Sequence, residues 1–128
     1  MNHEDIVREL WTAYENRDWR NARGLLAEDA VMTWPCTRER FHGADAIIHV
    51  NAVYPEGWHI TLLECARMEA NRIVSVVRVD HSPDDFFANS HFHVRDGVIV
   101  SITECRSTIE AAPAWRVEGT FPGYEMLR

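Results

Sequence analysis

The chain has 128 residues, 46% hydrophobic and 26% charged, with a formal charge of −7. That length suits one domain, residues 1–128, around a single core, and the acidic balance excludes general nucleic-acid binding, which needs a basic footprint. All 13 cationic side chains are arginine, which excludes lysine Schiff-base chemistry. There is no apolar run long enough to span a membrane and no leader pattern, so no membrane partner and a cytoplasmic location are expected.

Residues 3 to 17 place Ile6, Val7, Leu10, Trp11 and Tyr14 at helical spacing behind an Asn2–Asp5 pair that resembles a capping box. Trp11 and Tyr14 are read as core. Asp18 is the expected N-cap of a short second helix with Trp19, Ala22, Leu25 and Leu26 on its apolar face. Residues 30 to 34 read as a short strand ended by Pro35, and PCTRERFHG follows as an irregular segment. Arg38 and Arg40 in that segment read either as a solvated loop or as a carboxylate clamp at a pocket mouth, because arginine presents a planar fork of donors. Residues 44 to 54 form a third helix with Ile47, Val50 and Tyr54 in its buried stripe, stopped by Pro55-Glu56-Gly57. Two strands follow, 58 to 69 and 72 to 81, joined by a tight turn at Ala70-Asn71.

The most informative stretch is Asp85 to Ser107. It reads as two long antiparallel strands joined at Asp96-Gly97, a pair that suits the positive φ angles of a type I′ turn. Alternation puts Ala88, Ser90, Phe92 and Val94 on one face and Asn89, His91, His93 and Arg95 on the other. After the turn Val98, Val100 and Ile102 continue a parity that ends in Glu104 and Arg106. Lining the interior with those valines carries two charged groups toward a covered face, where charge is almost never found unless paired. The tail from Ala111 is aromatic but has no clear period. Cys36, Cys65 and Cys105 are widely spaced, with no zinc or CxxC pattern, and read as small buried hydrophobes. Three helices, a strand and a four-strand meander make an α+β domain. Helices over one face of a strongly bent antiparallel sheet enclose a cone-shaped cavity, the expected place for a small-molecule site.

The order of elements and the blocks ENRDWRNARGLLAEDAVMTWP, RFHGADAIIHVN, YPEGWHI and FHVRDGVIVSITE resemble the nuclear transport factor 2-like (cystatin-like) superfamily in its SnoaL-like branch. The resemblance implies that cone fold and places Ile102, Glu104, Arg106, Ala88, Ser90 and Phe92 along the cavity. It does not select an activity, because the superfamily holds isomerases, cyclases, dehydratases, epoxide hydrolases and non-catalytic modules. Against ketosteroid isomerase, the general-base aspartate falls on Trp34, the oxyanion-hole aspartate on Ser90 and the catalytic tyrosine near Leu10, so none of those groups is carried over. The outer sheet face is often covered by a second subunit in relatives, which implies a homodimer through the His91 and His93 side.

The candidate chemistry then rests on few residues. Glu104 and Arg106 form either a structural ion pair or an acid–base group beside an anion holder. His81, on the Ser75/Val77/Val79 parity, is either a strand-end histidine or a cavity imidazole active near neutral pH. Trp34, Tyr54 and Trp58 are read as pocket wall, with Arg38 at the mouth and Ser90 and Phe92 also facing ligand. His91-x-His93 offers two imidazoles on one face but no third ligand, so no metal site is assigned. The expected function is cofactor-free binding of an apolar, oxygenated small molecule, with proton-transfer chemistry by His81 and Glu104 assisted by Arg106. The alternative is a non-catalytic ligand-binding or dimeric interaction module.

Overall fold

The computed structural model describes residues 1–119 and 121–127. Helix α1 (His3–Glu15) starts at Asn2, whose side chain accepts from the Asp5 backbone N–H, so the expected cap forms. Helix α2 (Trp19–Gly24) is capped in the same way by Asp18, which accepts from Asn21 N–H. Strand β1 (Leu26–Trp34) begins four residues earlier than its apolar run suggests. Within the segment read as irregular, Glu39–His42 forms a further strand, β2, antiparallel to β1. Helix α3 (Ala44–Ala52) precedes β3 (His59–Glu69), β4 (Arg72–Asp80), β5 (Phe86–Arg95) and β6 (Val98–Thr108), and a single turn, α4 (Ala114–Val117), lies in the tail.

The six strands form one sheet in the order β2-β1-β6-β5-β4-β3. The meander is antiparallel as expected, but β1 joins it parallel to β6. The sheet is therefore mixed, with β1 second from one edge between β2 and β6. Register shifts interrupt β3/β4, β5/β6 and β1/β6, and such bulges bend a strand and increase its twist. They give the sheet its curvature. Helix α1 crosses the concave face, where Ile6, Val7 and Leu10 pack with Ile73, Val77, Phe92 and Val94. Asp96 and Gly97 both have positive φ, 52° and 78°, as the hairpin turn requires.

The bulge in β5/β6 corrects the face assignment of β6. Val94 pairs with Ile99 and His93 with Ser101, which leaves Val100 as the extra residue. Ile99, not Val98 or Val100, is buried at the turn end. Beyond the bulge Ile102, Glu104 and Arg106 pair with Phe92, Ser90 and Ala88 and share their inner face. The charged pair thus reaches the concave side as expected, by a different route. The outward set Asn89, His91, His93 and Arg95 is exposed. No helix among the described residues is long and apolar enough to cross a membrane.

Candidate functional site

The concave face does not close completely. A cavity of about 310 Å³ remains between α1, α3 and the inner faces of β1, β4, β5 and β6. Its wall is largely aromatic and aliphatic, with Trp11, Trp34, Tyr54, Trp58, Ile60 and Phe86 among the lining residues. Trp34, Tyr54 and Trp58, expected as pocket wall, line this cavity. The space exists because strand pairing puts small residues, Ser90 and Ala88, opposite Glu104 and Arg106.

Two carboxyls line this cavity, the exposed Glu39 at its mouth and the buried Glu104. Ser90 Oγ donates to Glu104 Oε1 at 2.6 Å and Trp34 Nε1 donates to its Oε2 at 3.1 Å. Both donors favour the carboxylate, while burial disfavours it. Burial dominates, so the pKa is raised above that of an ordinary glutamate in spite of the two hydrogen bonds. Glu104 makes no ion pair with Arg106 among the described residues. Arg106 Nη1 instead donates to Tyr54 Oη at 2.6 Å, and its guanidinium carbon lies 4.0 Å from the centre of the Phe86 ring. The structural ion-pair reading is thereby replaced by two separate polar stations, a carboxyl on the β1 side and a guanidinium–phenol pair on the α3 side.

Tyr14 is a site residue that the helical stripe concealed. It is 4% exposed, lines the cavity and accepts from Asn51 Nδ2 at 3.4 Å. Burial first, and the nearby Glu104 charge second, hold its hydroxyl well above the ordinary tyrosine pKa, so it stays protonated and can donate. Its ring position is fixed by an edge contact with Trp11, whose own Nε1 donates to the buried Ser75 Oγ at 3.0 Å. Trp58 also lines the cavity, and its Nε1 is buried without a hydrogen-bond partner among the described residues.

Four expected site residues sit elsewhere. The β4 strand ends at Asp80, one residue short of His81. The backbone N–H of His81 donates to Asp85 Oδ1 at 2.7 Å, and its ring Nε2 lies 3.2 Å from the Glu56 carbonyl, in the loop before β3. His81 packs on the Tyr54 ring but does not line the cavity. The parity argument failed because the strand stopped before it could set the face. Arg38 occupies a tight turn with φ of 60°, is exposed and does not line the cavity. Ser90 is fully buried and spends its hydroxyl on Glu104, and Phe92 is 1% exposed core beneath the wall. The cysteines also depart from expectation, since Cys36 is exposed and Cys65 and Cys105 are only partly covered.

A family described as a SnoaL-like domain matches residues 7–102. A proposed ketosteroid isomerase from Kribbella flavida DSM 17836 superposes with a TM-score of 0.86 at 21% identity, covering 98% of this chain and 90% of its own. A nuclear transport factor 2-like protein of unknown function from Burkholderia xenovorans LB400 gives 0.79 at 18% identity, with 98% and 95% covered. An LEH-like epoxide hydrolase of M. tuberculosis gives 0.69 at 15%, with 82% of each chain covered. At these identities the likeness establishes the fold. No curated protein matches the chain significantly.

Proposed function

The chain belongs to the SnoaL-like domain family, and on that premise we propose that it is a cofactor-free enzyme that moves a proton on an apolar, oxygenated small molecule held in the concave cavity. The observation that carries this reading is the carboxyl of Glu104, set in an aromatic wall with a raised pKa beside a protonated phenol. A raised pKa makes the carboxylate a stronger base than an ordinary glutamate and keeps a larger share of the group protonated and able to act as an acid. A substrate C–H or O–H within reach of Glu104 is the proton source. The Tyr14 hydroxyl, Arg106 and the unpartnered Trp58 N–H supply hydrogen bonds to substrate oxygens where charge develops. His81 has no part in this scheme, since it is held against the Glu56 carbonyl.

The relatives described as isomerase and epoxide hydrolase support this class of chemistry, in which a carbonyl or epoxide oxygen gains charge as a proton moves. The test is conversion of a panel of enones, β-keto esters and epoxides by the wild type and by Glu104→Gln, followed by mass spectrometry. Turnover by the wild type that is lost in the variant supports the proposal, and equal turnover in both refutes it.

A second reading, non-catalytic ligand binding, is favoured by one observation: both oxygens of Glu104 already accept hydrogen bonds. It predicts saturable binding without product, with Glu104→Gln binding as well as the wild type. In either reading we assign the outer sheet face, on the His91 and His93 side, to a second copy in a homodimer, and the protein to the cytoplasm. Light scattering of the wild type and of a His91→Glu/His93→Glu variant measures this, and a monomeric wild type rejects it.

A further inference from the structure

Many arginines of this acidic chain find a carboxylate. Arg8, Arg17, Arg23, Arg67, Arg72 and Arg78 each form an ion pair. Arg106 forms none among the described residues, although its head is held on two sides. Nη1 donates to Tyr54 Oη at 2.6 Å, and the guanidinium carbon lies 4.0 Å from the centre of the Phe86 ring, a cation–π contact. Tyr54 packs on that same ring, with centres 6.5 Å apart. Among the described residues Arg106 is the one cationic side chain that lines the cavity. Glu39 also lines it, but is exposed at the mouth and is not paired with Arg106 among the described residues.

Donors are therefore left over at this end of the cavity. A guanidinium carries five N–H groups in a planar fork, and the bond to Tyr54 uses one of them. Tyr54 Oη accepts that bond, which leaves its own proton to be donated. A fork of N–H groups beside a phenol proton is a donor set suited to a carboxylate, which takes two parallel bonds from arginine. Behind it Ile60, Val79 and Phe86 offer only hydrocarbon. We propose that the ligand of this cavity is a small organic acid, its carboxylate seated on Arg106 and Tyr54 at the mouth and its apolar body reaching inward to Glu104 and Tyr14. This inference rests on the cavity being the small-molecule site proposed above, and it names the class of that molecule. Glu104 and Arg106 are two residues apart on one face of β6, about 7 Å along the strand. The standing charge of the ligand and its reacting oxygen then sit at opposite ends of one short body. Arg106 serves the standing charge, and Tyr14 and Trp58 remain for the charge that develops.

The experiment measures binding, not turnover, so it is read separately from the catalytic test. The full-length protein is titrated by calorimetry with benzoate, 3-cyclohexylpropanoate and 2-naphthoate, each beside its primary amide, which matches it in shape and lacks its charge. At least one acid is expected to bind about tenfold or more tightly than its amide, the usual gain for a hydrogen bond to a charged group. Arg106→Gln should bring that ratio to about one while the amide binds as before. Tyr54→Phe should lower the ratio without abolishing it. Equal affinity of acids and amides for the wild type, or a preference that survives in Arg106→Gln, overturns the carboxylate assignment and leaves the site itself standing. Failure of every acid and every amide to bind overturns the inference together with the site on which it rests.

Discussion

The two ends of the β5–β6 hairpin are built from one pairing and do different work. At the turn end Val94 faces Ile99 and Phe92 faces Ile102, all buried. At the far end Ser90 faces Glu104 and Ala88 faces Arg106, and Ala88, Glu104 and Arg106 line the cavity. Hydrocarbon on both sides fills the first space. In the second, a small residue opposite a long polar one leaves room and delivers a functional group into it. The contrast shows that cavity and core are separated here by side-chain volume and polarity within a continuous ladder, with no change of secondary structure. An apolar cross-strand pair closes the sheet onto α1, and a Ser–Glu pair opens it.

The largest effect expected from breaking this contrast is at Glu104. Glu104→Gln keeps the shape and removes the titrating group, and turnover should fall by about 10²–10⁴-fold, the usual range for a general acid–base group. At the closed end Phe92→Ala should leave a cavity and lower stability by about 3–5 kcal/mol in denaturant unfolding. Ser90→Ala removes a donor that favours the Glu104 carboxylate. It should raise the Glu104 pKa further, move the pH–rate midpoint upward and cost about 1–3 kcal/mol of stability. His81→Ala should be the mildest, leaving turnover unchanged and costing about 0.5–1.5 kcal/mol for its hydrogen bond to the Glu56 carbonyl.

A pH series of unfolding sharpens the same point. The folded-state pKa of Glu104 is raised above its unfolded value. Its contribution to stability is therefore fully present below the unfolded value, about 4.3, and is lost as pH rises through the folded value. Relative to Glu104→Gln, the wild type should lose stability as pH rises above about 4.3.

Sequence patterning revealed what alternation and turn chemistry control. The Asp96-Gly97 hairpin, the buried Phe92 and Ser90 parity and the caps at Asn2 and Asp18 all follow from local rules that the tertiary structure did not override. The family resemblance held because its quoted blocks lie almost wholly within residues 7–102. The Val100 bulge was hidden because Val98 to Val100 is apolar on both parities, so no alternation marks the slip. Strand β2 was hidden because ERFH carries one apolar residue, Phe41. Tyr14 was missed for a deeper reason: a helix stripe identifies residues that face inward but does not say whether the interior there is filled. Its distance of four residues and one turn from Leu10 was the available signal. His81 was misplaced because strand parity holds only while the strand lasts.

The most direct test of the central claim is the titration of Glu104 itself, by carbon NMR of side-chain carboxyls in the wild type and in Glu104→Gln. A carboxyl that titrates above about 4.3 in the wild type and is missing from the variant is the result predicted for a buried acid–base group in the cavity. A Glu104 signal at or below that value would mean that the Ser90 and Trp34 hydrogen bonds outweigh burial. The carboxylate would then be a fixed structural acceptor, which contradicts its assignment as the group that moves the proton.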